Sequence, residues 1–516
     1  MIPYAPEALT DYTNPVEKQK LLQALDVVRA KLGREYPALI HGRPYETDQR
    51  ISSVNPARKG EIVGLVTKAN LVLAERAVAA AYAQFPSWSR VKPETRADYL
   101  FKSAALMRRS KHEFSAWIML ESGKTCAEAD ADTAEAIDFM EYYARQMLEL
   151  TGRGAAHLVR VPGERNQLVY LPLGVGIIIP PWNFPLAILV GMTTAAIVAG
   201  NTVVVKPSSQ TPVIAHRFME LLREVGVPDG VVQFLPGSGG EIGDYLVAHK
   251  HTRFVSFTGS RDVGVHLHAL SARVEKGQLW LKRFVGELGG KDAIIVDEEA
   301  DLSAAAAGIV ASAFGYAGQK CSACSRAIVH QAVYPEVLER CRELTERLKQ
   351  GDPLDLSTDL GPVIDSTAYA KILSYIRQGQ QEGRLVTGGT YDDSAGFFIA
   401  PTIYADLASD TRLMQEEIFG PVLAMAQAAT MEEAIAIANQ SDYGLTGAIY
   451  TNNRAWIERA REDFHVGNLY INRKCTGATV GVHPFGGFNM SGTDSKAGGP
   501  DYLLLFTQPK LISERL

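Results

Sequence analysis

Cys321 lies in FGYAGQKCSACSR, residues 314–326, between an alanine-rich helical pattern over 301–314 and a short β-type run over 327–329. A cysteine between a helix end and a strand start, with Gly318 just before it, sits on a loop that can hold it beside a cleft. Only the thiolate is a good nucleophile, so such a residue needs a local device that lowers its pKa. A lone cysteine is more often a buried structural thiol, and the rest of the chain has to decide. Cys324 makes a C-x-x-C pair with Cys321, but no second pair or histidine cluster accompanies it, so no metal is expected and Cys324 reads as a structural neighbour. Glu135, Asp138 and Glu141, spaced three apart, read by default as the solvated face of a helix.

At 516 residues the chain is too long for one core and implies two or three domains. Its composition, 46% hydrophobic and 21% charged, is that of an ordinary globular protein, and a formal net charge of −6 offers no footprint for nucleic acid or an anionic membrane. The odd count of five cysteines, with no disulfide framework and no second pair to make metal-type spacing, suits a reducing compartment. The N-terminus shows no basic region followed by an apolar core, and the most apolar run, 186–199, is too short to span a bilayer. A cytoplasmic location is expected.

Helical periodicity covers 14–34, 69–84, 95–112 and 114–152, and strands are expected over 167–171 and 175–179. From there the pattern becomes α/β: a strand over 202–205, a helix opening at Thr211-Pro212, a strand over 231–235, a helix starting at the glycines 237–240, and a strand over 254–257. Residues 292–350 and 365–470 repeat the alternation and imply a second α/β unit. The tail, 502–516, reads as a strand or arm used between subunits.

Nucleotides bind beyond the carboxyl ends of parallel strands, where helix N-termini and backbone amides face phosphate. Three strand ends carry suitable residues: Ile179-Pro180-Pro181-Trp182-Asn183, Lys206-Pro207-Ser208-Ser209 and Phe257-Thr258-Gly259-Ser260. The glycine loop Gly237-x-Gly239-x-x-x-Gly243 is one residue longer than the usual dinucleotide fingerprint and is weak by itself.

These stretches resemble the aldehyde dehydrogenase superfamily. PWNFP (181–185), KPSSQTP (206–212), FTGS (257–260), ELGGK (287–291), GQKC (318–321), EEIFGPV (416–422) and PFGGF with SG (484–488, 491–492) stand in family order over roughly residues 40–510. The resemblance implies an α/β fold with a Rossmann-type cofactor domain (1–130 and 155–285), a second α/β catalytic domain (286–475), and segments for oligomerisation and substrate anchoring (131–154 and 476–516). It implies a dinucleotide along the 206–260 strand ends. Lys206 would meet the adenosine ribose, with Ser208 and Ser209 beside it. Gly239, Gly243 and Ser260 would lie near the pyrophosphate, Glu417 and Phe419 on the nicotinamide ribose, and Val263 and Leu288 along the same groove. Many relatives carry a glutamate where this chain has Ser209. A serine neither repels a 2′-phosphate nor grips the ribose diol as strongly, so NAD use with tolerance of NADP is expected.

The same resemblance implies a thiohemiacetal and then a thioester on Cys321, an oxyanion site made by the Asn183 side-chain amide and the Cys321 N–H, and Glu287 as the base that activates water. Glu287 precedes the cysteine by 321 − 287 = 34 residues, in an apolar, glycine-rich setting that would raise its pKa. The bland reading makes it a salt-bridge partner of Lys291. NRKxTGA and SGTDSKAGGPDYL in the late segment are similar to the branch of the family that oxidises L-glutamate γ-semialdehyde. That branch implies that Gly477 and Ala478 hold the substrate's α-carboxylate, Ser322 adds a hydroxyl, Phe184 and Phe485 flank the chain, and Glu135 lines the entrance. Arg473 keeps a succinic or glutaric semialdehyde open as a rival substrate. A non-catalytic scaffold is the rival of another class, and it predicts loss of Cys321, Glu287 or Asn183. A homodimer or larger homo-oligomer is expected.

Overall fold

Two seven-stranded sheets organise the molecule, for which a computed structural model describes residues 3–153 and 158–516. Residues 1–2 and 154–157, at the ends of three of the expected segments, lie outside the described residues. In the first sheet the strands Val175–Ile179, Thr202–Val205, Val232–Phe234, Thr252–Thr258 and Arg283–Glu287 run parallel. Numbered along the chain, they lie in the order 5-4-1-2-3, with the antiparallel hairpin Ala38–Ile40 and Arg43–Tyr45 closing the far edge. Val175–Ile179 and Thr202–Val205 are buried at every position, as strands covered on both faces must be. The order reverses between Val175–Ile179 and Thr252–Thr258, which opens a crevice at their carboxyl ends.

The second sheet places Asp292–Val296 and Cys324–His330 side by side at its centre, flanked by Thr446–Tyr450 and Asn468–Ile471 on one side. Val422–Ala428, Thr402–Ala405 and the antiparallel edge strand Arg384–Thr387 lie on the other. A long two-stranded ribbon pairs Glu164–Pro172 with Thr507–Arg515, and almost all of the second strand is exposed.

The structure differs from the sequence reading at several elements. The helical region 114–152 is broken into Lys111–Ser122 and Cys126–Arg153, because Gly123 ends the first helix in a left-handed conformation (φ 71°). The glycines 237–240 do not start an ordinary helix; residues 239–243 make one π-helical turn leading into Asp244–Ala248. Thr211 stands at the N-cap of Pro212–Glu224 but makes no capping bond. Glu121 caps that helix from another element: its carboxylate accepts from Val213 N at 2.7 Å, Ile214 N at 2.8 Å and Ser53 Oγ at 2.7 Å. Nor is the carboxylate row on Cys126–Arg153 a solvated face. Asp138 is buried and accepts from Glu7 N at 2.7 Å, and Glu141 pairs with Arg108 and Arg145 at 3.1 and 2.6 Å. The helix packs inward against Pro93–Arg109 and Ala187–Val198, so its acidic residues need partners.

Candidate active site

The helix Leu302–Phe314 runs into a tight loop before the central strand Cys324–His330, and Cys321 sits on that loop. Tyr316 and Ala317 are both left-handed at φ 53°, and Gly318 follows at φ 68°. A Cβ at Gly318 would lie 2.2 Å from the Gly420 carbonyl, so only glycine lets the loop pass there. Gln319 fastens it: its Nε2 donates to the Tyr316 and Pro362 carbonyls at 3.2 and 3.3 Å, and its Oε1 accepts from Ile364 N at 2.9 Å. Asn183 is 4% exposed and its Nδ2 donates to the Gln319 carbonyl at 3.0 Å, which brings the amide against the nucleophile's loop.

A buried ion pair sets these two segments in register. Lys124 Nζ meets Asp132 Oδ2 at 2.7 Å, and Asp132 Oδ1 accepts from Ala187 N at 2.7 Å. The same ammonium lies 4.0 Å from the Phe184 ring centroid and 5.0 Å from that of Tyr316. It therefore bridges the Asn183-Phe184 segment and the Cys321 loop with cation–π contacts.

The glycine-rich turn after Glu287 approaches Cys321 closely: a Cβ on Gly290 would lie 2.4 Å from the Cys321 carbonyl. Burial raises the Glu287 carboxyl to about 8, and the Ser495 hydroxyl, which donates to Glu287 Oε1, works against that rise. Glu287 Oε2 has no partner among the described residues. Lys291, the bland partner, makes no such pair. Its ammonium is buried without a partner among the described residues and lowered to about 7 by desolvation. The Cys321 thiol is pushed up, first by burial and then by the carboxylates of Asp292, Glu287 and Glu417. Burial and the neighbouring acidic groups act in the same upward direction, so they do not supply the expected device that lowers its pKa.

One cavity of about 130 Å³ is lined by Cys321, Ser322, Glu287, Thr258, Glu135, Phe184, Gly477, Ala478 and Phe485 together. All six residues expected around the substrate meet there. Glu135 is raised to about 8 by burial and by the neighbouring Asp132 carboxylate. Gly477 is left-handed at φ 78°, in a turn whose carbonyls are held by Arg473: its Nη2 donates to Thr476 O at 2.9 Å and to Gly477 O at 3.2 Å. Arg473 also stacks on Tyr470, 4.3 Å from its centroid, and is not among the lining residues. Sequence reasoning missed further lining residues, Tyr143, His483 and Tyr502 among them, and Ser495, which donates to Glu287. The SGTDSKAGG run contained the signal for Ser495, but a partner 208 residues away is not visible in local pattern.

The residues expected on the cofactor do not line that cavity, apart from Thr258; most follow the strand ends of the first sheet, while Glu417 and Phe419 lie on the loop before Val422–Ala428 of the second. Ile179 and Thr258 end the two strands at the reversal, with Pro180, Pro181 and Trp182 after one and Gly259 and Ser260 after the other. Ser260 is the N-cap of the helix Arg261–Ser271, which exposes Val263 and buries Leu288 against Gly264. Gly239 and Gly243 have open space where a side chain would stand. Lys206 is 6% exposed, lowered to about 8 by burial, and among the described residues has only the Pro207 carbonyl at 3.3 Å, which leaves donors for other oxygens. Ser208 Oγ is turned to Gln210 at 2.5 Å, and Ser209 is half-buried beside it. Glu417 Oε1 accepts from Gly290 N at 3.0 Å, and Phe419, left-handed at φ 60°, meets Trp182 edge-on at 5.4 Å. A crevice at the switch point, open glycines, a helix N-terminus and a buried, under-used ammonium fit a dinucleotide.

This parallel sheet, crevice and cysteine loop define a class. The aldehyde dehydrogenase family model matches residues 44–512, and the chain belongs to the aldehyde dehydrogenase family. It is 60% identical over 512 residues to a 1-pyrroline-5-carboxylate dehydrogenase of Geobacillus thermodenitrificans, covering 99% of each chain. It is 58% identical over 516 residues to one of Bacillus cytotoxicus, covering 100% of each. A solved structure of 1-pyrroline-5-carboxylate dehydrogenase from Thermus with bound NAD superposes with a TM-score of 0.98 at 47% identity, over 100% of both chains.

Proposed function

We propose that this chain oxidises L-glutamate γ-semialdehyde, in equilibrium with 1-pyrroline-5-carboxylate, to L-glutamate with NAD, the second step of proline breakdown. One observation carries the reading: a single cavity holds Cys321 and Glu287 together with Ser322, Gly477 and Ala478, so a nucleophile and a carboxyl share a wall with a left-handed glycine turn. Backbone amides in such a turn form a small anion nest suited to an α-carboxylate. Cys321 attacks the aldehyde carbon as the thiolate, after its proton has left to water, and the Asn183 amide and the Cys321 N–H stabilise the oxyanion. NAD, when bound along the strand ends, supplies the hydride acceptor for the thiohemiacetal. Glu287 then takes a proton from the water that attacks the thioester, and its unpartnered Oε2 supports that role. Phe184 and Phe485 flank the aliphatic chain, Ser322 adds a hydroxyl and Glu135 lines the entrance.

Lys206, Ser208, Ser209, Gly239, Gly243, Ser260 and Val263 hold the adenosine and pyrophosphate portion, and Leu288, Glu417 and Phe419 the nicotinamide side. Ser209 permits NADP as well. Arg473 is committed to the carbonyls of Thr476 and Gly477, which argues against a substrate read through that guanidinium, such as succinic semialdehyde. We propose that cofactor and catalytic domains divide between the two sheets; because Arg283–Glu287 belongs to the first sheet, we shift the boundary expected after residue 285 to after Glu287. The ribbon Glu164–Pro172 with Thr507–Arg515 exposes Leu511 and Ile512, and we assign it to contacts within a homo-oligomer. No described helix is long and apolar enough to cross a membrane, and we place the enzyme in the cytoplasm. The test is NADH formation with glutamate, succinic and simple aliphatic aldehydes. The expected result is a kcat/KM at least about tenfold higher for glutamate semialdehyde, roughly 1.4 kcal/mol of discrimination. A higher value for succinic semialdehyde overturns the substrate.

A further inference from the structure

Glu287 ends a strand whose backbone docks on the glycine-rich late segment. Gly286 N–H donates to Thr493 Oγ1 at 3.0 Å, Thr493 N–H donates to the Gly286 carbonyl at 2.9 Å, and Leu288 N–H donates to the Ser491 carbonyl at 2.8 Å. These bonds bracket Glu287 and set the Ser495 hydroxyl, itself buried, against its Oε1. We propose that Ser495 is a positioning residue for Glu287: its hydroxyl ties down one carboxyl oxygen and leaves the other free of protein partners to meet water. This rests on the reading of Glu287 as the base.

The physical argument concerns both geometry and charge. A carboxyl tied at one oxygen cannot swing freely within its cavity, and the remaining oxygen keeps its full accepting capacity. A hydroxyl that donates to a carboxylate also favours the ionised form, against the burial that disfavours it. The Ser495 backbone N–H acts in the same direction and would survive loss of the side chain. Of the charged neighbours, Lys496 favours the ionised form and Asp494 opposes it. The Lys496 ammonium is committed to the Gly467 and Gly486 carbonyls at 2.8 and 2.7 Å and to Asp494 at 3.0 Å. Cys321, Glu135, His483 and Tyr502 share the cavity. None of these groups is hydrogen-bonded to the Glu287 side chain; Ser495 is its side-chain partner among the described residues.

Ser495→Ala should therefore displace the pH limb for thioester hydrolysis upward by about one unit, so that steady-state turnover at pH 7 falls about tenfold and recovers at alkaline pH. The single-turnover burst of NADH should keep its amplitude. Ser495→Thr, which keeps the hydroxyl, should keep the wild-type profile. Wild type, both Ser495 variants and Glu287→Gln are compared by burst and steady-state rates from pH 6 to 10. If Ser495→Ala follows the wild-type pH profile while Glu287→Gln stalls after its burst, the Ser495 inference is wrong and the base reading stands. Loss of the burst at every pH in Ser495→Ala marks a merely structural role and also overturns it. If Glu287→Gln turns over like wild type, the base reading itself fails and the inference falls with it.

Discussion

Glu121 and Glu287 are both buried carboxyls, and the fold treats them in opposite ways. Glu121 is raised to about 7 and has its oxygens taken up by Ser53, Val213 and Ile214. Glu287 is raised to about 8, has one side-chain donor, and leaves Oε2 bare. Burying a polar atom without a partner is unfavourable and uncommon in native proteins. The saturated carboxylate holds two elements together; the unsaturated one lines the cavity with Cys321. Two lysines repeat the contrast. Lys124 is paired with Asp132 and lies against two rings, whereas Lys206 has a single carbonyl partner among the described residues and stands at the end of the strand Thr202–Val205.

Substitutions can break or sharpen that contrast. Cys321→Ala should have the largest effect, lowering turnover by at least about 10⁴-fold while NAD still binds, as seen by fluorescence titration. Glu287→Gln should slow steady-state turnover by about 10²–10⁴-fold. Its stability should move the other way. The folded pKa is raised above the unfolded one, so the native state binds more protons between them, and stability falls as pH rises from about 4.5 towards 8. Glu287→Gln should therefore melt higher than wild type at pH 8, with the gap closing towards pH 5.

Lys124→Met should be the most destabilising of the structural changes, by about 3–5 kcal/mol in denaturant unfolding, because it leaves Asp132 as an unpaired buried charge. Glu121→Ala should follow at about 3 kcal/mol, from two orphaned N–H groups and the lost Ser53 partner, with kcat within about twofold of wild type. If Glu121→Ala instead lowered kcat as Glu287→Gln does, saturation would not separate structural from chemical carboxylates. Ser209→Glu should act least, increasing the preference for NAD over NADP by about tenfold, close to 1.4 kcal/mol, in kcat/KM ratios.

Much of this was legible where information is local. Periodicity finds Leu71–Trp88 and Pro93–Arg109 within a few residues, and runs such as TVVV mark buried strands. The motifs that place Cys321, Asn183 and Glu287 on loops and strand ends are also local. What could not be read joins residues far apart. The Glu121 cap reaches 92 residues to Val213, and the Lys124–Asp132 pair matters only because Phe184 and Tyr316 come from two other elements. The acidic row at 135, 138 and 141 misleads for the same reason, since the partners that allow its burial, Glu7 N and Arg108 among them, lie on other segments. The upward shift of the Cys321 thiol is also a tertiary property, because its burial, and after that the nearness of Asp292, Glu287 and Glu417, arise only in the fold.

The most direct test mixes Glu287→Gln rapidly with glutamate semialdehyde and NAD, following NADH and the intact protein mass. The account predicts one equivalent of NADH per active site, then a stall, with an acyl group carried on Cys321. Continued turnover at the wild-type rate, or a stall with no acyl group on Cys321, would contradict it.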